Sequence, residues 1–383
     1  MTLADRWRRD LAELHAQGRY RRLAVPSGLD FSSNDYLGYG KWGPVGNRSE
    51  SGEPVTNRSP QLSRSGQASR LLRGEHPLWQ EVETELAQWH GAEAALMMTS
   101  GYTANEGLLS ALVQPEDFFA SDELNHASII DGGRLSKAER FVFRHNDLDH
   151  LEAGLRQAFG KRPNGRELFV VTESLFGMEG ERAPLREMAD LADRYQAHLI
   201  VDEAHATGCC GASGSGLVDD LGLRRRVLAT VHTGGKALGV CGAYICCSQL
   251  ARDMLVNCCR HLIFTTALPP LIASWWQQML TRVRQDHATR RALHQSAGLF
   301  RGELAWHGIE AKGADYIVPI VVGEDRQAVE AAAALQAAGF DVRAIRPPTV
   351  PAGTARLRIS IHADHSHDDL RRLAAAVRQA VNQ

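Results

Sequence analysis

From about residue 78 the chain alternates between two hydrophobic rhythms. LWQEVETELAQWHG repeats apolar residues at helical spacing and closes on Gly91, and AEAALMMTSGYTANEGLLSALV reads as a strand, a glycine turn and a second helix. Short β-rich runs come next at 118 to 122, 140 to 145, 167 to 174, 198 to 205, 227 to 233 and 242 to 248. Helical stretches such as PLREMADLADRYQ, 184 to 196, lie between several of them. Strands apolar on both faces and separated by helices predict an α/β fold with a mostly parallel sheet. Past about 280 the texture changes. A long charged helix is expected over TRVRQDHATRRALHQSAGLFRGELAWHG, then strands IVPIVVG and ARLRISI around the helix QAVEAAAALQAAG, as in a smaller α+β domain. At the N-terminus Leu3, Trp7, Leu11 and Leu14 fall at helical spacing among charges, which predicts an amphipathic helix rather than a secretion signal. The stretch from Gly38 to Ser69, rich in Gly, Ser, Pro and Asn, reads as loop.

Length and charge narrow the picture. At 383 residues the chain exceeds what one core of ~250 to 300 residues fills, so a large and a small domain are expected. A formal charge of -2 provides no field to draw a polyanion, which argues against nucleic acid as a partner. The seven cysteines show neither a CxxC pair nor His/Cys ligand spacing, so no metal site is expected and a reducing, cytoplasmic compartment is. LIFTTALPPLIASWWQQML, 262 to 280, approaches the length of a membrane span, yet Pro269 and Pro270 interrupt it. A buried strand, a turn and a helix are expected there, with no membrane partner.

VDEAHATG, 201 to 208, spells the acidic box of nucleic-acid helicases. Such a motor needs a GxxxxGK[ST] loop upstream. The nearest match, HTGGKAL at 232 to 238, comes after the box and has Ala237 where a metal-binding hydroxyl belongs. Another chemistry must account for the box. Ligands of an open parallel sheet bind beyond the carboxyl ends of its strands. That rule gathers Ser100-Gly101-Tyr102, Asp122 through His126, Glu173-Ser174, Asp202 with His205, and Thr233 with Lys236. Gly101-Tyr102 opens a helix whose N-terminus favours a phosphate, and Gly234 and Gly235 let backbone come close. A carboxylate, a phosphate cradle, an amine and imidazoles together describe a pyridoxal phosphate site.

These residues stand in stretches that carry a family resemblance: FSSNDYLG (31 to 38), TSGYTANEGLLSAL (99 to 112), SDELNHASIIDG (121 to 132), VDEAHATG, GGKALGVCGAY (234 to 244), RHLIFTTALPP (260 to 270) and IRPPTVPAGTARLRIS (345 to 360). The chain resembles the α-oxoamine synthases, which are fold type I pyridoxal phosphate enzymes. The resemblance implies an N-terminal helix and segment (1–45), a large cofactor-binding domain (46–275) and a small C-terminal domain (276–383). It implies that Lys236 holds pyridoxal 5'-phosphate covalently and later moves the substrate α-proton, with Asp202, His205 and His126 as its catalytic companions. Asp202 would pair with the ring nitrogen, an attraction of about 4 kcal/mol at ~4 Å and an effective dielectric near 20. His205 would bond the phenolic oxygen, and His126 would lie against the ring and the substrate. Glu173 would stand beside the cofactor. Gly101, Tyr102 and Thr233 would hold the phosphate, helped by Thr265 or Thr266 of a second subunit, so a homodimer with a shared active site is implied. Arg358 would take the amino acid carboxylate, and Arg21, Asn34 and Thr349 are further implied substrate contacts.

Within the family the likeness is to the branch that joins L-alanine to a pimeloyl thioester, on coenzyme A or acyl carrier protein, with loss of carbon dioxide. Sister branches that use glycine or serine are the alternative. A scaffold without turnover would have no need of Lys236, Asp202, His126 and His205 together. Three departures stand out. Gly177 replaces a family serine in TESLFGMEG, SGQASR (65 to 70) replaces a glycine-rich GSGGSR, and Trp79 stands where a histidine is expected.

Overall fold

The β-rich runs assemble into one seven-stranded sheet in the computed structural model, which describes residues 3–20, 26–41, 63–160 and 166–381. Its strands are β1 (Ala94–Met98), β2 (Phe118–Asp122), β3 (Glu139–Phe143), β4 (Leu168–Glu173), β5 (Ala197–Asp202), β6 (Val227–Thr233) and β7 (Ala243–Cys247). Their order across the sheet is β1-β7-β6-β5-β4-β2-β3, and within this sheet β7 alone runs against its neighbours. Strands β1, β2, β4 and β7 are buried from end to end and β5 and β6 along most of their length, as their unbroken apolar runs require. Only the edge strand β3 faces solvent along most of its length, and it carries Glu139 and Arg140 there, a pattern that discourages pairing with another chain.

The helices of interest are α1 (Leu3–Ala16), α2 (Pro77–Trp89), α3 (Gly101–Leu112) and α4 (Ala127–Ser136). α3 and α4 cover one face of the sheet. Leu108 and Leu109 of α3 and Ile129 of α4 share a core with Phe119, Ile200, Val231 and Ile245 from four strands. Each such side chain contributes about 1.5 to 3 kcal/mol by leaving water. Gly132 sets how closely the two helices approach, because a Cβ there would sit 3.1 Å from the Asn105 carbonyl oxygen and the Glu106 Cα.

The chain divides into two compact units, one of Leu37–Phe176 and Arg182–Arg290, which holds this sheet, and one of Met1–Tyr36, Gly177–Glu181 and Arg291–Gln383. In the second unit β8 (Ile317–Gly323), β9 (Arg343–Ile345) and β10 (Ala355–Ser360) form an antiparallel sheet of order β9-β10-β8. A short parallel pairing joins Leu29–Asp30 to Phe340–Asp341.

Two expected elements differ. The single long charged helix is two, Pro270–Gln285 and His287–Trp306, parted at Asp286. One Asp286 oxygen accepts the Thr289 N–H at 3.0 Å, as a helix cap does, and the other accepts the Tyr39 hydroxyl at 2.7 Å. The strand expected before the proline pair is instead a one-turn helix, Arg260–Ile263, followed by extended chain. Phe264 is 71% exposed there, so the run is not the buried segment its hydrophobicity suggested. Pro270 then opens the next helix as its first residue, where its missing N–H is harmless. No helix among the described residues is long and apolar enough to cross a membrane. Most of the expected loop from 38 to 69 lies outside the described residues.

The α3–sheet contact is where the large unit is most sensitive. Leu108→Ala is expected to lower stability by about 2 to 5 kcal/mol, read as a fall in the guanidinium midpoint.

Candidate active site

The register of the sheet brings the chemistry to one edge. Glu173 and Asp202 are partners at the ends of β4 and β5, and Met98 of β1 and Thr233 of β6 flank the same residue, Ala243 of β7. Gly101 therefore starts α3 against Thr233: a Cβ on Gly101 would meet the Thr233 methyl at 2.4 Å. A capping box fixes this helix start. The Ser100 hydroxyl accepts the Thr103 N–H at 3.2 Å, and the Thr103 hydroxyl accepts the Ser100 N–H at 3.1 Å. The amides of Gly101 and Tyr102 are among the first four, which have no carbonyl to reach within the helix, and the dipole favours an anion before them. Tyr102 itself is exposed, with its hydroxyl donating to Asp131 and its ring edge-on to His126 at 6.0 Å.

Past β6 the chain delivers Lys236, half-buried, with Nζ 3.1 Å from Nε2 of the buried His205. Asp202 is buried and accepts twice: from Asn105 Nδ2 at 2.6 Å on one oxygen and from the Ala204 N–H at 2.8 Å on the other. His126 caps α4. Its Nδ1 accepts the Ser128 N–H at 3.2 Å and lies 2.7 Å from the Ser128 hydroxyl, while the His126 backbone N–H donates to Glu173 at 2.7 Å. Desolvation holds the His126 imidazole below its ordinary range; Asp202 opposes that and the Lys236 ammonium adds to it. Beside Asp202, Glu203 is fully enclosed, and burial pushes its carboxyl up to about 7 although the Leu217 and Val218 amides donate to it at 2.7 and 3.1 Å.

The other unit builds a second polar centre around Arg358 of β10. Its Nε donates to the Gly177 carbonyl at 2.6 Å, Nη1 to the Ser360 hydroxyl at 2.8 Å, and Nη2 to Asn34 Oδ1 at 2.8 Å and the Tyr36 hydroxyl at 3.2 Å. All four partners are neutral, and the residue is buried. Arg356, two positions earlier on the same face, has a carboxylate instead, Glu179 at 3.1 Å. A ligand carboxylate at Arg358 would supply the charge that Glu179 supplies to Arg356. The group that orients Arg358 from residue 177 is a backbone carbonyl, which the family serine would also supply, so Gly177 leaves this contact intact and removes only a hydroxyl.

The structure brings together Lys236, His205, Asp202, His126, Glu173, Gly101, Tyr102 and Thr233 in one unit, and Arg358 with Asn34 in the other. Thr265 and Thr266, half-buried and exposed, line a small cavity with Arg70, Trp79, Met97 and His261. Trp79 fits into that wall by donating its indole N–H to the Leu268 carbonyl at 3.3 Å. Thr349 is exposed, its N–H donating to the Arg346 carbonyl at 3.1 Å. Arg21 lies outside the described residues. Asn105, Ser128, Tyr36 and Ser360 were not singled out by sequence; the available signal was an asparagine, a weak helix former, inside the apolar run of α3. Donor atoms of His90, His232 and Cys246 also lie within 4.8 Å of one another, all buried. There the two His232 nitrogens face the Thr207 and Thr230 hydroxyls at 2.7 and 2.8 Å, and His90 faces the Tyr244 hydroxyl at 2.8 Å, so hydroxyls already satisfy the rings.

Against known proteins, the family model of class I and II aminotransferases matches residues 27–377. An 8-amino-7-oxononanoate synthase of Chlorobaculum parvum is 42% identical over 390 residues, covering 98% of this chain and 99% of that protein. A putative 8-amino-7-oxononanoate synthase of Geobacillus kaustophilus is 41% identical over 370 residues, covering 94% and 92%. Among solved structures, a serine palmitoyltransferase from S. paucimobilis with bound PLP-myriocin aldimine superposes with a TM-score of 0.87 at 27% identity, covering 99% of this chain and 98% of that one. The 8-amino-7-oxononanoate synthase of Francisella tularensis gives a TM-score of 0.74 at 26% identity, covering 93% and 98%.

Glu203 generates a pH prediction. Its folded value, about 7, lies above its ordinary 4.5, so its contribution to stability is complete below pH 4.5 and is lost as the pH rises through 7. Relative to Glu203→Gln, the wild type is expected to lose about 3 kcal/mol between pH 4.5 and 8, measured as the difference between the two proteins' denaturation midpoints across that range.

Proposed function

The chain belongs to the class I and II aminotransferase family, and we propose that within it the chain is a pyridoxal 5'-phosphate-dependent acyltransferase. It condenses L-alanine with a pimeloyl thioester, releasing carbon dioxide and the free thiol carrier, to give 8-amino-7-oxononanoate in biotin biosynthesis. The observation that carries this reading is the Lys236 amine 3.1 Å from His205 at the sheet edge where Asp202 is held as an acceptor. Relatives about 40% identical over nearly the whole chain bear the name of that activity.

The residues suit the cofactor. The Gly101 start of α3, where a Cβ would strike Thr233, is a cradle for phosphate, with the first amides of the helix and the Thr233 hydroxyl as donors. Bound pyridoxal phosphate supplies an electron-withdrawing ring that stabilises negative charge at the substrate α-carbon. Asp202, held as an acceptor by Asn105 and the Ala204 amide, would pair with the ring nitrogen and keep its proton there. His205 donates toward the phenolic oxygen and orients Lys236. Lys236 would hold the cofactor's aldehyde carbon, and its amine, 3.1 Å from His205, is the group that would take the substrate α-proton at Nζ. His126 would cover one ring face and exclude water there. Arg358, its present partners all neutral, takes the alanine carboxylate with a planar fork. Thr265 or Thr266 of a second subunit completes the phosphate site of the first, so the active form is a homodimer. The neighbouring Phe264, 71% exposed in the single chain, is the kind of apolar side chain such an interface covers.

A second reading is a sister synthase that uses serine, favoured by the TM-score of 0.87 to a serine palmitoyltransferase against 0.74 for the solved 8-amino-7-oxononanoate synthase. The 42% identity to the latter class against 27% to the former weighs the other way. Carbon dioxide release with pimeloyl-CoA and a panel of amino acids separates the two. Alanine is expected to exceed glycine and serine in kcat/KM by about tenfold or more, and Lys236→Ala is expected to stop turnover. Greater turnover with serine would contradict the reading.

A further inference from the structure

We infer that Asn105 and Ser128 are positioning residues that act through Asp202 and His126. Asn105 holds the carboxylate as an acceptor, and Ser128 holds the imidazole in the tautomer protonated at Nε2. The inference deepens the proposed function and rests on it for the cofactor contacts of Asp202 and His126, whereas the hydrogen-bond chain is read from the protein alone.

Asn105 is buried in α3 beside Leu108 and Leu109, where an unsatisfied amide costs free energy and asparagine is a weak helix former. Its Nδ2 is shared between Asp202 Oδ2 at 2.6 Å and the Ser128 hydroxyl oxygen at 3.0 Å. An ionised carboxylate can only accept, so the amide must turn its NH2 this way, and its second hydrogen goes to Ser128. The serine proton then points to His126 Nδ1, 2.7 Å away. The Ser128 backbone N–H donates to the same nitrogen at 3.2 Å. Because an amide N–H cannot accept, Nδ1 carries no proton, and the proton of the neutral ring sits on Nε2. The close approach of α4 to α3 at Gly132 lets Ser128 reach Asn105.

One chain of hydrogen bonds thus joins the residue proposed for the ring nitrogen to the residue proposed for the ring face: Asp202, Asn105, Ser128, His126. The charged and titratable groups around His126 are Asp202, Lys236, Glu173 through the His126 backbone N–H, and Tyr102 with its partner Asp131. Both hydrogen bonds to Nδ1 favour the neutral imidazole, so removing the hydroxyl raises its proton affinity.

The test uses the full chain with Ser128→Ala, Asn105→Ala and, as a rescue that keeps a hydroxyl, Ser128→Thr. Nitrogen-15 histidine NMR of the purified protein, with His126 assigned through His126→Gln, is expected to show Nδ1 bare and Nε2 protonated in the wild type. Ser128→Ala is expected to raise the His126 midpoint by about half to one pH unit, and Ser128→Thr to restore it. Asn105→Ala is expected to weaken binding of pyridoxal phosphate about tenfold or more in a visible-absorbance titration. A proton on Nδ1 in the wild type, an unmoved midpoint in Ser128→Ala, or unchanged cofactor affinity in Asn105→Ala would overturn the inference. So would variants that melt earlier with the tautomer and midpoint unmoved, the mark of a purely structural role. If Asn105→Ala does not fold, the Ser128 variants decide. Wild-type protein with the expected tautomer that takes up no pyridoxal phosphate would sink the proposed function and leave the hydrogen-bond chain standing.

Discussion

A carboxylate kept inside the protein, and the donors that hold it, is the constraint around which the large unit is arranged. Asp202 at the end of β5 is almost out of reach of water, and an isolated carboxylate there would cost several kcal/mol or take up a proton. It is held by the Ala204 amide and by Asn105. Asn105 sits one turn beyond Gly101 in α3, so the helix that steadies the carboxylate also aims its first amides past Thr233. At 1.5 Å per residue the two positions lie about 6 Å apart along the axis. A single rigid element thereby sets both the acidic and the anion-binding ends of the site, and its apolar face is fastened to the sheet through Leu108 and Leu109.

Neighbouring groups of the same type are given different partners by their surroundings. Asp202 and Glu203 are adjacent and both buried; Asp202 is held by the Asn105 side-chain amide and the Ala204 N–H, and Glu203 by the Leu217 and Val218 amides, its carboxyl pushed up to about 7 by burial. Arg356 and Arg358 share a face of β10, and the carboxylate goes to Arg356. Arg358 is surrounded by a carbonyl, a side-chain amide oxygen and two hydroxyls.

Much of this was legible in the sequence because buried strands write themselves as continuous apolar runs, and the strand-end rule then selects the residues just beyond each run. Lys236, His205, Asp202, His126 and Glu173 were found that way and do converge. The features that escaped were decided by partners far away in the chain. The break at Asp286 depends in part on Tyr39, and the place of Arg358 depends on Asn34, Tyr36 and the backbone of residue 177. Periodicity over a local window contains none of these. Asn105 and Ser128 were quoted within longer stretches without a role, since a buried polar side chain takes its meaning from the group it meets across the core.

The central claim is that Lys236 carries pyridoxal phosphate against Asp202. Borohydride reduction of the purified protein followed by peptide mapping tests it most directly. The account predicts a stable pyridoxyl adduct on the peptide containing Lys236, absent in Lys236→Ala. An adduct on another lysine, or none on protein that visibly holds the cofactor, would contradict it.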